Sequence, residues 1–184
     1  MKVLIVYASK YGQTEKIATA VADTLRQEGA DARAIPVKSL PRGLDLRAYD
    51  GVIVAGACYT GRFKRLRKFM RRYGAQLPAV RNALIAVSLS AKFDPANAEK
   101  EVHAFVAEFG WLPDTFTCVA GAESFTRYGF LTGFAMRKIA TKEGRGGDFT
   151  NDREYTDWDA LAQFAREFVV KVKNPSVSTV AARP

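Results

Sequence analysis

The residues best suited to chemistry lie at the start of the chain. A β-branched apolar run over 3–7 gives way to Ser9, Lys10, Tyr11, Gly12, Gln13 and Thr14, and an amphipathic helical pattern follows at once. A buried strand that turns through a small polar loop into a helix leaves backbone N–H groups free at the helix start. With the helix dipole, those groups make an anion site. Ser9 and Thr14 add hydroxyl donors, and Gly12 lets the backbone come close. The loop lacks the lysine of G-x-x-x-x-G-K-[ST] and the glycines of G-x-G-x-x-G, so neither a γ-phosphate nor a dinucleotide pyrophosphate is favoured. A single phosphate monoester fits this cradle; an ordinary strand–turn–helix with capping hydroxyls is the structural alternative. Elsewhere the reactive side chains are few. Cys58 and Cys118 make neither a disulfide framework nor a metal set, and His103 is the only histidine. Cys58 has no histidine beside it in sequence and reads as a small packing residue. His103 falls in a helical pattern and reads as structural or exposed. No side chain stands out as a catalytic acid or base.

These residues need elements to hold them. Ile17, Ala18, Val21, Ala22 and Leu25 share one face, predicting a helix over 13–28 that Gly29 stops. Short apolar runs predict further strands at 31–37, 51–57, 83–89 and 116–122. A helix is predicted over 63–73. Another is predicted to 109 with Asp94 as N-cap and Pro95 at its first position. A last helix is predicted from Thr156, with Asp159 completing an approximate capping box. Strands alternating with helices in this way predict an α/β, doubly wound sandwich with a parallel sheet. At 184 residues the chain suits one domain, over 1–173, with a frayed tail at 174–184.

The pattern apolar-x-Ser-x-x-Gly-x-Thr after the first strand resembles the FMN-phosphate loop of flavodoxins. That resemblance implies a flavodoxin-like, five-stranded parallel sheet of order 2-1-3-4-5, with the cradle at its switch point. It also implies that the loops after the third and fourth strands enclose the flavin ring. Those loops are Ala57, Cys58, Tyr59, Thr60 and Gly61, and then Ser88, Leu89, Ser90 and Ala91. Tyr59 is the expected ring contact, with Phe93 behind it, and Gly61 would let a backbone group approach the ring edge.

The segment 123–148 is too long for a simple connection after a fifth strand, and it reads as an insertion after or within that strand. It mixes aromatic and basic residues, and a helix over 129–141 would gather Phe130, Leu131, Phe134, Ala135 and Ile139 on one broad side. Trp111-Leu112-Pro113-Asp114, Ala120-Gly121-Ala122, Arg127-Tyr128, Gly146-Gly147-Asp148, Tyr155-Thr156-Asp157-Trp158 and Phe164-Ala165-Arg166-Glu167 resemble the menaquinone-dependent protoporphyrinogen oxidase family. The chain departs from that family in a shorter Cys58–Gly61 loop without its arginine, and in a shortened loop after Ser90. The resemblance implies oxidation of protoporphyrinogen IX to protoporphyrin IX in haem synthesis, with FMN passing electrons to a membrane quinone. Arg62, Lys64, Arg65, Arg127, Phe130, Phe134, Arg137 and Lys138 are then candidates for contact with substrate or membrane.

The balance of charge is strongly basic. Formal net charge is +9, with a pI near 9.7, unlike the typically acidic soluble flavodoxins. Seven of the twelve residues over 62–73 are Lys or Arg, and none is acidic. Phe63, Leu66, Phe69, Met70 and Tyr73 make the apolar face of that run. A basic surface beside a quinone-linked flavin predicts docking on an anionic membrane surface. A solvated helix face is the plainer reading. No nucleic-acid motif is present. No run reaches the roughly 18–20 apolar residues that span a bilayer. The expected place is cytoplasmic, peripheral to the inner face of the cell membrane. A flavodoxin-like electron carrier and an FMN-dependent quinone reductase are the alternatives. A receiver-type module would want paired carboxylates after the first strand, where Ala8 and Ser9 stand.

Overall fold

The computed structural model describes residues 1–59, 61–127, 134, 138, 141 and 149–174. Five strands form the main sheet: β1 (Lys2–Ala8), β2 (Asp31–Pro36), β3 (Gly51–Ala57), β4 (Arg81–Ser88) and β5 (Thr115–Ala120). Their order is β2-β1-β3-β4-β5, and every pairing is parallel. The expected doubly wound, flavodoxin-like order is therefore the observed one. Helices cover both faces, so the central strands are apolar on both sides. Along β1, Val3, Ile5 and Tyr7 enter one core, while Leu4, Val6 and Ala8 enter the other. The first core lies under α1 (Gln13–Gln27) and the last helix, which is α5 below. The second lies under α2 (Arg67–Tyr73) and α4 (Pro95–Glu108), with the short α3 (Ser90–Phe93) directly after β4.

Three predicted elements differ from those found. The helix expected over 63–73 begins only at Arg67. Tyr59 and Arg62 first close a tight turn through two backbone hydrogen bonds of 3.2 and 3.1 Å, with Gly61 at φ 72°. No Ser, Thr, Asp or Asn lies in 61–66 to cap an earlier start, and the cations there oppose the positive end of the helix dipole. The strand expected over 116–122 leaves the sheet after Ala120. Beyond it the chain forms β6 (Ala122–Glu123), antiparallel to β7 (Arg153–Glu154). The break falls where β4 runs out, at the Ser88–Ala120 pairing. There Gly121 packs so close to Val87 that a Cβ would sit 3.1 Å from its side chain. The last helix, α5 (Trp158–Lys173), is capped by Asp157, whose carboxylate accepts from the Ala160 N–H at 2.9 Å. Thr156, the expected cap, is used elsewhere.

Trp111 and Asp114 act far from the cradle. The Trp111 indole N–H donates to Asn82 Oδ1 at 2.8 Å, and Asp114 accepts from the Asn82 backbone N–H at 3.0 Å. The Asn82 amide donates in turn to the Leu77 and Val80 carbonyls, both at 3.1 Å. This clamp holds the entry of β4, at the edge of the sheet opposite the cradle.

Candidate functional site

The carboxyl end of β1 delivers Ser9 into the cradle loop. Ser9 Oγ accepts from the Gly12 N–H at 3.0 Å, which leaves the hydroxyl proton for a ligand. Gly12 stands at the N-cap of α1 with φ 100°, a left-handed conformation that disfavours a side chain, and no side chain caps the helix. The N–H groups of the first turn are thus left for an anion, and the first intrahelical bond runs from Lys16 N to Gly12 O at 3.0 Å. Thr14 is buried in that turn, and Gln13 is nearly so. Beneath the loop, the Tyr7 hydroxyl donates to Glu15 at 2.9 Å. Burial, reinforced by that carboxylate, raises the phenol above its ordinary value and keeps it a donor.

The loop after β3 reaches the cradle. The rings of Tyr11 and Tyr59 meet edge to face at 6.1 Å, and the Lys10 ammonium lies 4.5 Å from the first ring and 5.7 Å from the second. Tyr59 is 40% exposed, so its ring borders solvent at this edge. Ala57 is half-buried, and Cys58 is buried with its N–H donating to Val87 O at 2.8 Å. Burial and the nearby Glu101 push the Cys58 thiol far up, consistent with a packing residue rather than a thiolate. Thr60 lies outside the described residues. After β4, Ser88 Oγ accepts from the Ala91 N–H at 3.2 Å, and Leu89 leads into α3 with Ser90. This second loop is helical rather than irregular. Phe93 at its end is exposed and packs edge to face on Tyr155 at 5.3 Å.

What sequence reasoning missed is the third wall. The paired stems β6 and β7 bring the two ends of the insertion back beside the cradle. Gln13 Nε2 donates to Thr156 Oγ1 at 2.8 Å, and the Thr156 hydroxyl donates to Ala120 O at 2.8 Å. Lys16 pairs with Glu154 at 3.1 Å. Glu123, wholly buried, accepts from the Tyr155 hydroxyl at 3.0 Å, and burial with that carboxylate raises the Tyr155 phenol. A cleft of about 230 Å³ lies between Tyr11, Gly12, Gln13 and Lys16 on one side and Ala122, Ser124 and 152–154 on the other. Tyr155-Thr156 stood out in the sequence as a motif, but nothing there placed it against Gln13. Within the insertion, Arg127 ends a short 3-10 turn. Phe134 and Lys138 are helical and exposed, with the ammonium 5.0 Å from the ring. Phe130, Arg137 and most of the helix expected over 129–141 lie outside the described residues. Arg62, Lys64 and Arg65 are exposed on the turn before α2. His103 is exposed on α4 against Phe116, away from the cradle.

The family model described as a flavodoxin domain matches residues 4–150. The chain belongs to the flavodoxin-domain family. A protein of Escherichia coli strain K12 named protoporphyrinogen IX dehydrogenase (quinone) is 26% identical over 182 residues, covering 96% of this chain and 99% of that protein. A protein of the same name from Leishmania major is 27% identical over 175 residues, covering 91% of this chain and 74% of its own. Among solved structures, oxidised flavodoxin 1 of Bacillus cereus superposes with a TM-score of 0.59 at 18% identity, over 92% of this chain and 98% of that one.

The cofactor of this flavodoxin-domain protein is FMN, and the protein is a flavin-based oxidoreductase. The residues present fit its phosphate: an uncapped helix start, a glycine whose φ admits close approach, and a serine hydroxyl with its proton free. When bound, FMN supplies the hydride and electron chemistry, while the protein binds, orients and tunes it. No group of His, Cys, Asp and Glu able to hold a metal occurs among the described residues.

Proposed function

We propose that this protein oxidises protoporphyrinogen IX to protoporphyrin IX in haem synthesis, passing the electrons through FMN to a membrane quinone. The observation that carries the reading is likeness over 96% of the chain to a protein named protoporphyrinogen IX dehydrogenase (quinone). In this reading Ser9–Thr14 hold the phosphate, and 57–61 and 88–91 flank the flavin ring. Tyr59 lies against the ring. The apolar macrocycle and its propionates need apolar faces and cationic ends. The insertion supplies both in composition, through Phe130 and Phe134 with Arg127, Arg137 and Lys138, and Arg62, Lys64 and Arg65 stand at the opposite loop. Among the described residues no helix is long and apolar enough to cross a membrane. The proposed place of work is the inner membrane surface, where the quinone is met from the cytoplasmic side.

The test is an anaerobic assay of the FMN-loaded protein with protoporphyrinogen and a menaquinone analogue. The expected result is quinone-dependent growth of porphyrin fluorescence. No quinone-dependent porphyrin formation would overturn the reading and leave a flavodoxin-like carrier or an FMN-dependent quinone reductase.

A further inference from the structure

The net charge of the chain is carried by one continuous stretch. Residues 51–93 hold nine Lys or Arg and no Asp or Glu; the rest of the chain, with 19 Lys or Arg against 19 Asp or Glu, is neutral. In the fold this stretch is β3, the turn after it, α2 and β4. β3 and β4 are interior strands, so most of the charge emerges on the turn and helix between them. Arg62, Lys64, Arg65, Lys68, Arg71 and Arg72 are all exposed there, while Arg67 is set apart by its ion pair with Glu108. The apolar residues of the same segment, Phe63, Leu66, Phe69, Met70 and Tyr73, are buried beneath.

We propose that this face docks the protein on anionic phospholipid, with the Tyr59–Arg62 turn and the cofactor edge held at the headgroups. Charge complementarity names the occupant. Protein interfaces draw most of their energy from aromatic and apolar anchors set in pockets, and over 62–73 all five apolar and aromatic residues, from Phe63 to Tyr73, are turned inward. A polybasic segment needs no such anchor at a lipid surface, where each cation contributes alone. The orientation follows from the chain path. Arg62, Lys64 and Arg65 directly follow Gly61, at the loop that leaves β3 and carries Tyr59 to the cradle. The inference rests on the quinone reading for its purpose, since the acceptor lies in the bilayer. Its test does not depend on turnover.

The FMN-loaded protein is floated with vesicles of phosphatidylcholine alone or mixed with phosphatidylglycerol. Binding is expected to rise with phosphatidylglycerol and to be released by salt. Lys68→Glu, Arg71→Glu and Arg72→Glu together lower it by more than about a hundredfold, because losing each cation alone costs roughly fivefold and each new carboxylate is repelled by the headgroups. FMN content and turnover with a water-soluble quinone stay unchanged. The milder set Lys68→Gln, Arg71→Gln and Arg72→Gln, which keeps good helix formers, shows a smaller loss in the same direction. A control of equal charge, Lys38→Glu, Arg166→Glu and Lys173→Glu, loses far less. Equal binding to neutral and anionic vesicles overturns the proposal, and so does an equal loss in the control. Retention on immobilised polyglutamate without response to phosphatidylglycerol overturns it too and assigns the face to an acidic protein. Failure of the unaltered protein to turn over with the soluble quinone would sink the reaction and leave the lipid result standing.

Discussion

Ser9 has two jobs that one hydroxyl can do together. It accepts from the Gly12 N–H, which shapes the turn, and in the proposed FMN site its proton would go to a phosphate oxygen. Ser9→Ala should therefore weaken FMN binding by roughly ten- to a hundredfold, the usual range for a hydrogen bond to a charged group. Fluorescence titration of FMN against the apoprotein measures it; unchanged affinity would move the phosphate off this loop. The strand–loop–helix junction over Ser9–Thr14 was legible because its residues adjoin one another, and its helix start is uncapped in the fold. The Tyr11–Tyr59 contact was not, since it joins two loops that only the β1–β3 pairing brings together.

At the scale of elements, the motifs that carried the family resemblance serve different ends. Trp111 and Asp114 clamp Asn82 where β4 begins. Trp111→Phe should thus cost about 1–3 kcal/mol by leaving the buried Asn82 oxygen without its donor. FMN affinity should hold, because the clamp lies at the far edge of the sheet. Denaturant melts beside FMN titration check both halves, and a fall in affinity as large as the fall in stability would refute the division. Tyr155-Thr156 instead joins the insertion stems to the cradle through Gln13. Helix starts were legible where a cap declared itself, as Asp94 and Pro95 did for α4. They were misread where charge decided. The cations over 62–66 suit an apolar–polar helical pattern but not a helix N-terminus, so α2 starts a turn later.

The whole molecule stores several acids in their neutral form. Burial, with Glu99 and Glu101 nearby, pushes the Cys118 thiol up to about 11. Cys58 is driven in the same direction, and burial likewise raises Tyr7 and Tyr155 from 10.0. Above the ordinary thiol value of 9.0, the unfolded chain gives up the Cys118 proton while the folded chain keeps it. Stability is therefore whole below that pH and falls as pH rises toward about 11. Denaturation midpoints followed into alkali should decline, and Cys118→Ala should flatten part of the decline; a flat profile in the unaltered protein would contradict the burial of these groups.

The alternation of apolar runs with amphipathic stretches sufficed to determine the layers, the five strands of the main sheet and the position of the loop after β1. Those features depend on residues within a turn or two of each other, or on the burial that a two-sided sheet demands. The tertiary structure alone decided where the insertion is tied. Gln13 and Thr156 are 143 residues apart in sequence, and they meet only when the sheet closes. It also decided which cations remain exposed: Arg67 pairs with Glu108 on α4, and its neighbours are left on the surface as one basic face. Local propensity cannot report such pairings, because their energy is realised only after distant elements have packed.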